Sequence, residues 1–198
     1  MEDIIVFDLE TKKSFEEVGG KNNLAALGVS VLAAYSYNQN KFFVFEEKEL
    51  PDFEKLLRQA KLVVGFNIRD FDLPVFTPYT SLNLKHLNIL DLLDDIVEQV
   101  GFRVGLNNLA QATLGVAKSA DALQALIWYK EGRIKEIKEY CLQDVKLTRE
   151  LFDYGRKNGQ VFFVSKKTNE KITASVFWDQ AVRKIDEASQ NMLFLNYE

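Results

Sequence analysis

Three short segments place acidic and phenolic side chains at spacings that can do chemistry. In Phe7-Asp8-Leu9-Glu10 the carboxylates stand at i and i+2. On a strand that spacing points both to one side, because side chains alternate with period 2. The preceding Ile4-Ile5-Val6-Phe7 reads as a strand buried on both faces, so the acids fall at its C-terminal end. Open α/β sheets usually bind ligands there. Neighbouring carboxylates repel unless a cation lies between them, and Mg²⁺ or Mn²⁺ are the ions that prefer oxygen ligands. The second segment, Gly65-Phe66-Asn67-Ile68-Arg69-Asp70-Phe71-Asp72-Leu73-Pro74, runs an apolar strand into a turn and a helix start that holds two aspartates. The third is Tyr140-Cys141-Leu142-Gln143-Asp144. On a helix its i, i+4 pair shares a face, so the carboxylate can ligate metal while the phenol holds a water. Taken singly, each has a plainer reading: acids opening a solvated loop, helix capping by Asp70 or Asp72, and an amphipathic helix with a half-buried tyrosine.

The elements that must position these groups follow from hydrophobic periodicity. Leu24 to Tyr35 and Phe42 to Phe45 read as strands joined by a turn at Asn38-Gln39-Asn40. Thr11 to Asn23, polar and carrying Gly19-Gly20, reads as a mobile loop. Pro51 and Asp52 open a helix to about Ala60, Lys61 to Phe66 is a strand, Asp70 to about Tyr79 a short helix, and Leu87 to Leu90 a last core strand. Apolar spacings of three and four predict helices over Asp91 to Val100, Leu106 to Leu114, Asp121 to Tyr129 and Arg133 to Arg156. Val161 to Val164 and Ile172 to Phe177 predict a terminal hairpin turning at Thr168-Asn169. Strands first, alternation next and helices last indicate an α/β domain with a mixed sheet.

At 198 residues, with 47% hydrophobic and 27% charged, the chain fits one globular domain and is not disordered or collagen-like. The net charge of −4 argues against a protein held on nucleic acid by bulk positive charge. One cysteine, Cys141, excludes an internal disulfide and a cysteine metal cluster, which fits a reducing compartment. The acidic Met1-Glu2-Asp3 start is unlike a secretory signal, and Leu24 to Tyr35 is too short to span a membrane. The expectation is a soluble, cytoplasmic, single-domain protein.

Together the three segments are far more specific than apart. Phe-Asp-Leu-Glu-Thr at 7–11, Gly-Phe-Asn-Ile-x-x-Phe-Asp-Leu-Pro at 65–74 and Tyr-x-x-x-Asp at 140–144, in that order, resemble the DEDD 3′–5′ exonuclease superfamily in its tyrosine subclass (DEDDy). The likeness is to the proofreading domain of family B DNA polymerases and to related stand-alone predicted exonucleases. It covers about residues 1–155, with a weaker match at Leu106-Asn107-Asn108-Leu109-Ala110 through Leu114-Gly115. It implies a ribonuclease H-like fold, a mixed five-stranded sheet flanked by helices, over 1–157; residues 158–198 read separately, from their own pattern, as a C-terminal hairpin and tail packed on the same domain. Asp8, Glu10, Asp72 and Asp144 become the four acids and Tyr140 the tyrosine. Asp72 fits better than Asp70 because it belongs to Phe-Asp-Leu-Pro. The histidine subclass would need a histidine where Glu139 stands, and the single histidine, His86, lies in a loop before a strand.

What the resemblance implies mechanistically is a pair of divalent ions, Mg²⁺ or Mn²⁺, clamping the scissile phosphate. Asp8 would bridge them, Glu10 and Asp144 would complete one shell, Asp72 would hold the second ion, and Tyr140 would orient the attacking water. The product would be a nucleoside 5′-monophosphate. Asn67 and Phe71 could touch the terminal nucleotide of a single-stranded or 3′-end nucleic acid, although Phe71 is as readily a core residue. DNA is preferred to RNA as substrate, no membrane partner is expected, and oligomeric state stays open, as does action alone or beside a helicase or polymerase. No polymerase domain fits in 198 residues, so any proofreading would occur in trans. The competing readings are a ribonuclease H-like endonuclease and a non-catalytic nucleic-acid-binding module. Residues 154–172 hold Arg156, Lys157, Lys166, Lys167 and Lys171 against Glu170, a basic hairpin that could track phosphates or simply be solvated. Asp91, with Asp94, Asp95 and Glu98 behind it, is expected to cap its helix. Two bound divalent ions would bring the net charge of −4 to zero, so weak binding is expected without metal.

Overall fold

β1 (Asp3–Thr11) runs beyond the apolar stretch at its start. Asp8, Glu10 and Thr11 go on pairing with Ala33, Val31 and Val29 of β2 (Val29–Ser36). The computed structural model describes residues 3–116 and 122–195; Met1, Glu2 and the expected helix start at Asp121 lie outside the described residues. β3 (Lys41–Glu46) pairs antiparallel with β2. β4 (Ala60–Gly65) and β5 (Ile89–Asp91) add in parallel on the other side of β1. The order β3-β2-β1-β4-β5 makes a mixed five-stranded sheet with β1 at its centre.

Several boundaries differ from the periodicity reading for local reasons. Leu24–Ala26 coil into a 3-10 turn, so the strand read from Leu24 begins only at Val29. α1 (Leu50–Leu57) stops short of Ala60 because Ala60 is already pairing with Asp3. α2 (Asp72–Phe76) tightens into a 3-10 turn over Thr77–Tyr79, where Pro78 lacks the N–H that would extend the helix. His86 closes a 3-10 turn before β5.

Beyond the sheet come α3 (Leu92–Val100), α4 (Leu106–Leu114), α5 (Ala122–Lys130) and the 25-residue α6 (Ile134–Asn158). β6 (Gln160–Val164) and β7 (Lys171–Ser175) form the expected hairpin, with Asn169 left-handed at φ +57°. α7 (Trp178–Leu195) is a helix where the sequence predicts only a tail after the hairpin. Its first residue, Trp178, lies on α6 at Gly155. A Cβ there would meet the indole ring at 2.3 Å, so this contact requires glycine. The indole Nε1 donates to Asp95 of α3 at 2.7 Å.

The parity of β1 divides the core. Ile5, Phe7 and Leu9 face Phe53 and Leu57 of α1 and Phe76 of α2. Ile4 and Val6 face the other way, in one cluster with Val145 and Phe152 of α6. The outer edge of β6 is covered by side chains of α4. Asn108 Nδ2 donates to the Val164 carbonyl (2.8 Å) and its Oδ1 accepts from the Val164 N–H (2.7 Å). Thr113 makes the same two-way exchange with Phe162. Among the described residues no helix is long and apolar enough to cross a membrane.

Candidate active site

Asp8 and Glu10 continue the even-numbered face of β1, and that face meets α6. Helical spacing on α6 turns Tyr140, Cys141 and Asp144 toward the same sheet, and all three are buried. One oxygen from each of Asp8, Glu10 and Asp144 lies within 4.8 Å of the others, a group that could hold a metal ion. Three hard oxygen donors so close suit a hard divalent cation and oppose one another without one.

Asp72 reaches the same place from the other side of β1. Its Oδ1 accepts from the Leu9 N–H at 3.0 Å, between the two β1 acids in sequence, and the residue is 3% exposed. Burial first, then the charges of Asp91 and Asp144, push its carboxyl well above the usual carboxylate range, against the opposing effect of the Leu9 N–H. Asp70 is turned to solvent with its side chain 69% exposed, 3.6 Å from Arg103. Of the two aspartates, Asp72 lines the acid cleft and Asp70 does not.

The loop that delivers Asp72 is built on Asp91. A Cβ at Gly65 would lie 2.2 Å from the Ile68 side chain, so the chain can fold back there only with glycine. Asn67 takes φ +69°. The Asp91 carboxylate, buried, accepts from the N–H groups of Asn67 (2.8 Å), Arg69 (3.0 Å) and Leu93 (3.0 Å). It caps α3, as expected, and pins the 65–71 turn as well.

These residues line one cleft of about 440 Å³, which contains Asp8, Glu10, Asp72, Tyr140 and Asp144 together with Asn67 and Phe71. The Tyr140 ring meets Trp128 of α5 edge to face at 6.0 Å. The Asn67 amide oxygen accepts from Arg103, and Phe71, half-buried, touches the Phe15 ring at 6.0 Å.

A model of the RNase H superfamily matches residues 5–156. The chain belongs to that superfamily. Its fold is accordingly the RNase H-like, nuclease-type fold expected from the three motifs, with the hairpin and α7 outside the matched span. Among solved structures, the family B DNA polymerase from the hyperthermophilic archaeon Pyrobaculum calidifontis is similar to this RNase H superfamily chain. The TM-score is 0.58 at 18% identity, over 78% of this chain and 24% of that one. The chain thus matches about a quarter of the polymerase's length, and at this identity the likeness is one of fold. Among curated proteins no sequence matches.

Three contributors escaped the motif reading. The Cys141 thiol donates to the Asp8 carbonyl (3.3 Å) and to its carboxylate (3.7 Å). Burial first, then the charges of Asp8, Glu10 and Asp144, hold this thiol well above its usual range, so it stays a donor. Arg103 and Asn107 form part of the cleft wall. Asn107 falls in the weak motif at 106–110, which was a usable signal, whereas Arg103 had none.

Proposed function

We propose that the chain is a metal-dependent 3′–5′ exonuclease of the tyrosine subclass, acting on single-stranded nucleic acid, DNA in preference to RNA, and releasing nucleoside 5′-monophosphates. One observation carries this: the carboxylates of Asp8, Glu10 and Asp144, with Asp72 and the Tyr140 phenol, converge on a single cleft. The donor set fits Mg²⁺ or Mn²⁺. Asp8, Glu10 and Asp144 would hold one ion and Asp72 would serve a second. Such ions supply Lewis acidity and neutralise charge at the scissile phosphate.

The chain's own groups do the rest. Tyr140 orients the water, its ring held by Trp128. Water adds at phosphorus, the P–O3′ bond breaks, and the 3′ oxygen leaves with a proton. Cys141 and the Leu9 N–H fix Asp8 and Asp72 before substrate arrives, a preorganisation that lowers the cost of reaching the transition state. Asn67 and Phe71 contact the terminal nucleotide by hydrogen bond and by stacking. On this reading residues 1–157 are the nuclease body and 158–198 an appended segment packed on it.

The test is hydrolysis of a 5′-labelled single-stranded oligonucleotide with Mg²⁺ or Mn²⁺, on matched DNA and RNA. Stepwise shortening from the 3′ end by the wild type and none by Asp8→Ala is expected. Equal shortening by both proteins ends the assignment.

A further inference from the structure

The match to the superfamily ends at Arg156 and β6 begins at Gln160, so the hairpin has to be understood from its own surroundings. Asn108 and Thr113 seat it against α4 by four hydrogen bonds. Between α4 and the hairpin turn runs a second groove, of about 660 Å³. One wall presents the amides of Asn107 and Gln111 and the other presents Lys166 and Lys171, while no carboxylate lines it among the described residues. Asn107 lines both this groove and the acid cleft, so the two adjoin at that residue.

Charge separates the two ends of this path. The cleft gathers four carboxylates, while the groove offers lysines and neutral hydrogen-bonding amides, the combination that tracks a phosphodiester backbone without reading its bases. Lys171 is exposed, with Nζ 4.3 Å from the centre of the Phe162 ring, which fixes its position beside the groove. Arg156, from the same basic run of sequence, is committed to Asp179 at 3.2 Å and is not part of the groove.

We infer that this groove carries the substrate strand upstream of the nucleotide being removed: single-stranded DNA leaves the acid cleft past Asn107 and lies between the α4 amides and Lys166 and Lys171. The inference rests on the exonuclease reading, since a 3′-terminal nucleotide in the cleft leaves only the 5′ direction for the rest of the strand.

Binding of oligonucleotides with 3′-phosphorothioate ends, which resist hydrolysis, tests it by fluorescence anisotropy in Mg²⁺ across a salt series. The wild type should bind a 12-mer at least about tenfold more tightly than a 3-mer. The double variant Lys166→Gln/Lys171→Gln should lose most of that gain, and its slope of log K against log salt should flatten by about 1.4, roughly 0.7 for each phosphate contact removed. Arginine at both positions should restore the slope, and equal thermal midpoints exclude unfolding as the cause. Lys55→Gln, an exposed cation of α1 paired with Asp52, should behave as wild type. An unchanged slope and length gain in the double variant overturns the inference, as does a gain with RNA and none with DNA. So does competition by polyglutamate as effective as that by DNA. If the wild type hydrolyses nothing yet shows the lysine-dependent gain, the exonuclease reading fails and the groove stands; hydrolysis without that gain means the reverse.

Discussion

The two faces of β1 contrast sharply, one wholly apolar at its centre and the other turning acidic. Its odd residues Ile5, Phe7 and Leu9 lie dry among aromatic rings: Phe7 lies 5.2 Å from Phe53, which in turn lies 5.2 Å from Phe76. Its even residues begin equally apolar, at Ile4 and Val6, then change to Asp8 and Glu10 against α6. One strand therefore supplies stability on one side and a repelling cluster of charge on the other. The aromatic face therefore has to hold the strand in register while the acidic face works against it.

Truncating each face in turn should separate the two roles. Asp8→Ala should lower kcat about 10³-fold or more, about 4 kcal/mol of transition-state stabilisation, with little loss of thermal stability. Phe7→Ala should cost about 3–5 kcal/mol in denaturant unfolding. Similar stability losses in both would show that the faces are not divided as described. Asp72→Asn should follow, with activity falling about 10²-fold while the metal-free protein gains about 1 kcal/mol. The sign follows from its raised carboxyl, which means the native state binds the proton more tightly than the unfolded chain. The wild type is therefore fully stabilised below the ordinary aspartate value of 3.8 and loses that stability as pH rises through the raised value. Asparagine should remove this pH dependence, and thermal melts in EDTA from acid to neutral pH measure it.

Tyr140→Phe should reduce kcat by about 10- to 100-fold and leave metal affinity within about twofold of wild type. Calorimetric titration with Mn²⁺ checks the second half, and a large loss of affinity would contradict the water-orienting role. The smallest effect belongs to Cys141→Ala, about 1 kcal/mol of stability for one hydrogen-bond donor behind Asp8. Urea unfolding of the metal-free protein resolves it.

Much of this was legible in the sequence because the site is built from short regular spacings. The i, i+2 acids and the i, i+4 tyrosine and aspartate needed only the periods of strand and helix to share a face, and Phe-Asp-Leu-Pro separated Asp72 from Asp70. What the sequence did not reveal depends on how elements rotate against each other. Cys141 sits behind Asp8 because of the way α6 lies on the sheet, which no local pattern encodes. Asp91 looked like a helix cap and is one, but its grip on the 65–71 turn links residues 24 apart. α7 went unread although Trp178 and Val182 mark a helical face, because the strand-like Val176-Phe177 hid its start.

The seating of β6 on α4 has a consequence for how this molecule meets others. An exposed strand edge is a template that any extended chain can lengthen, and growth there leads to fibres as readily as to useful complexes. Here an asparagine and a threonine occupy the Val164 and Phe162 peptide groups in advance, so that edge is closed to strand addition. On the β6 side the appendage can therefore stay outside the sheet, carrying lysines into solvent, without offering a free strand edge.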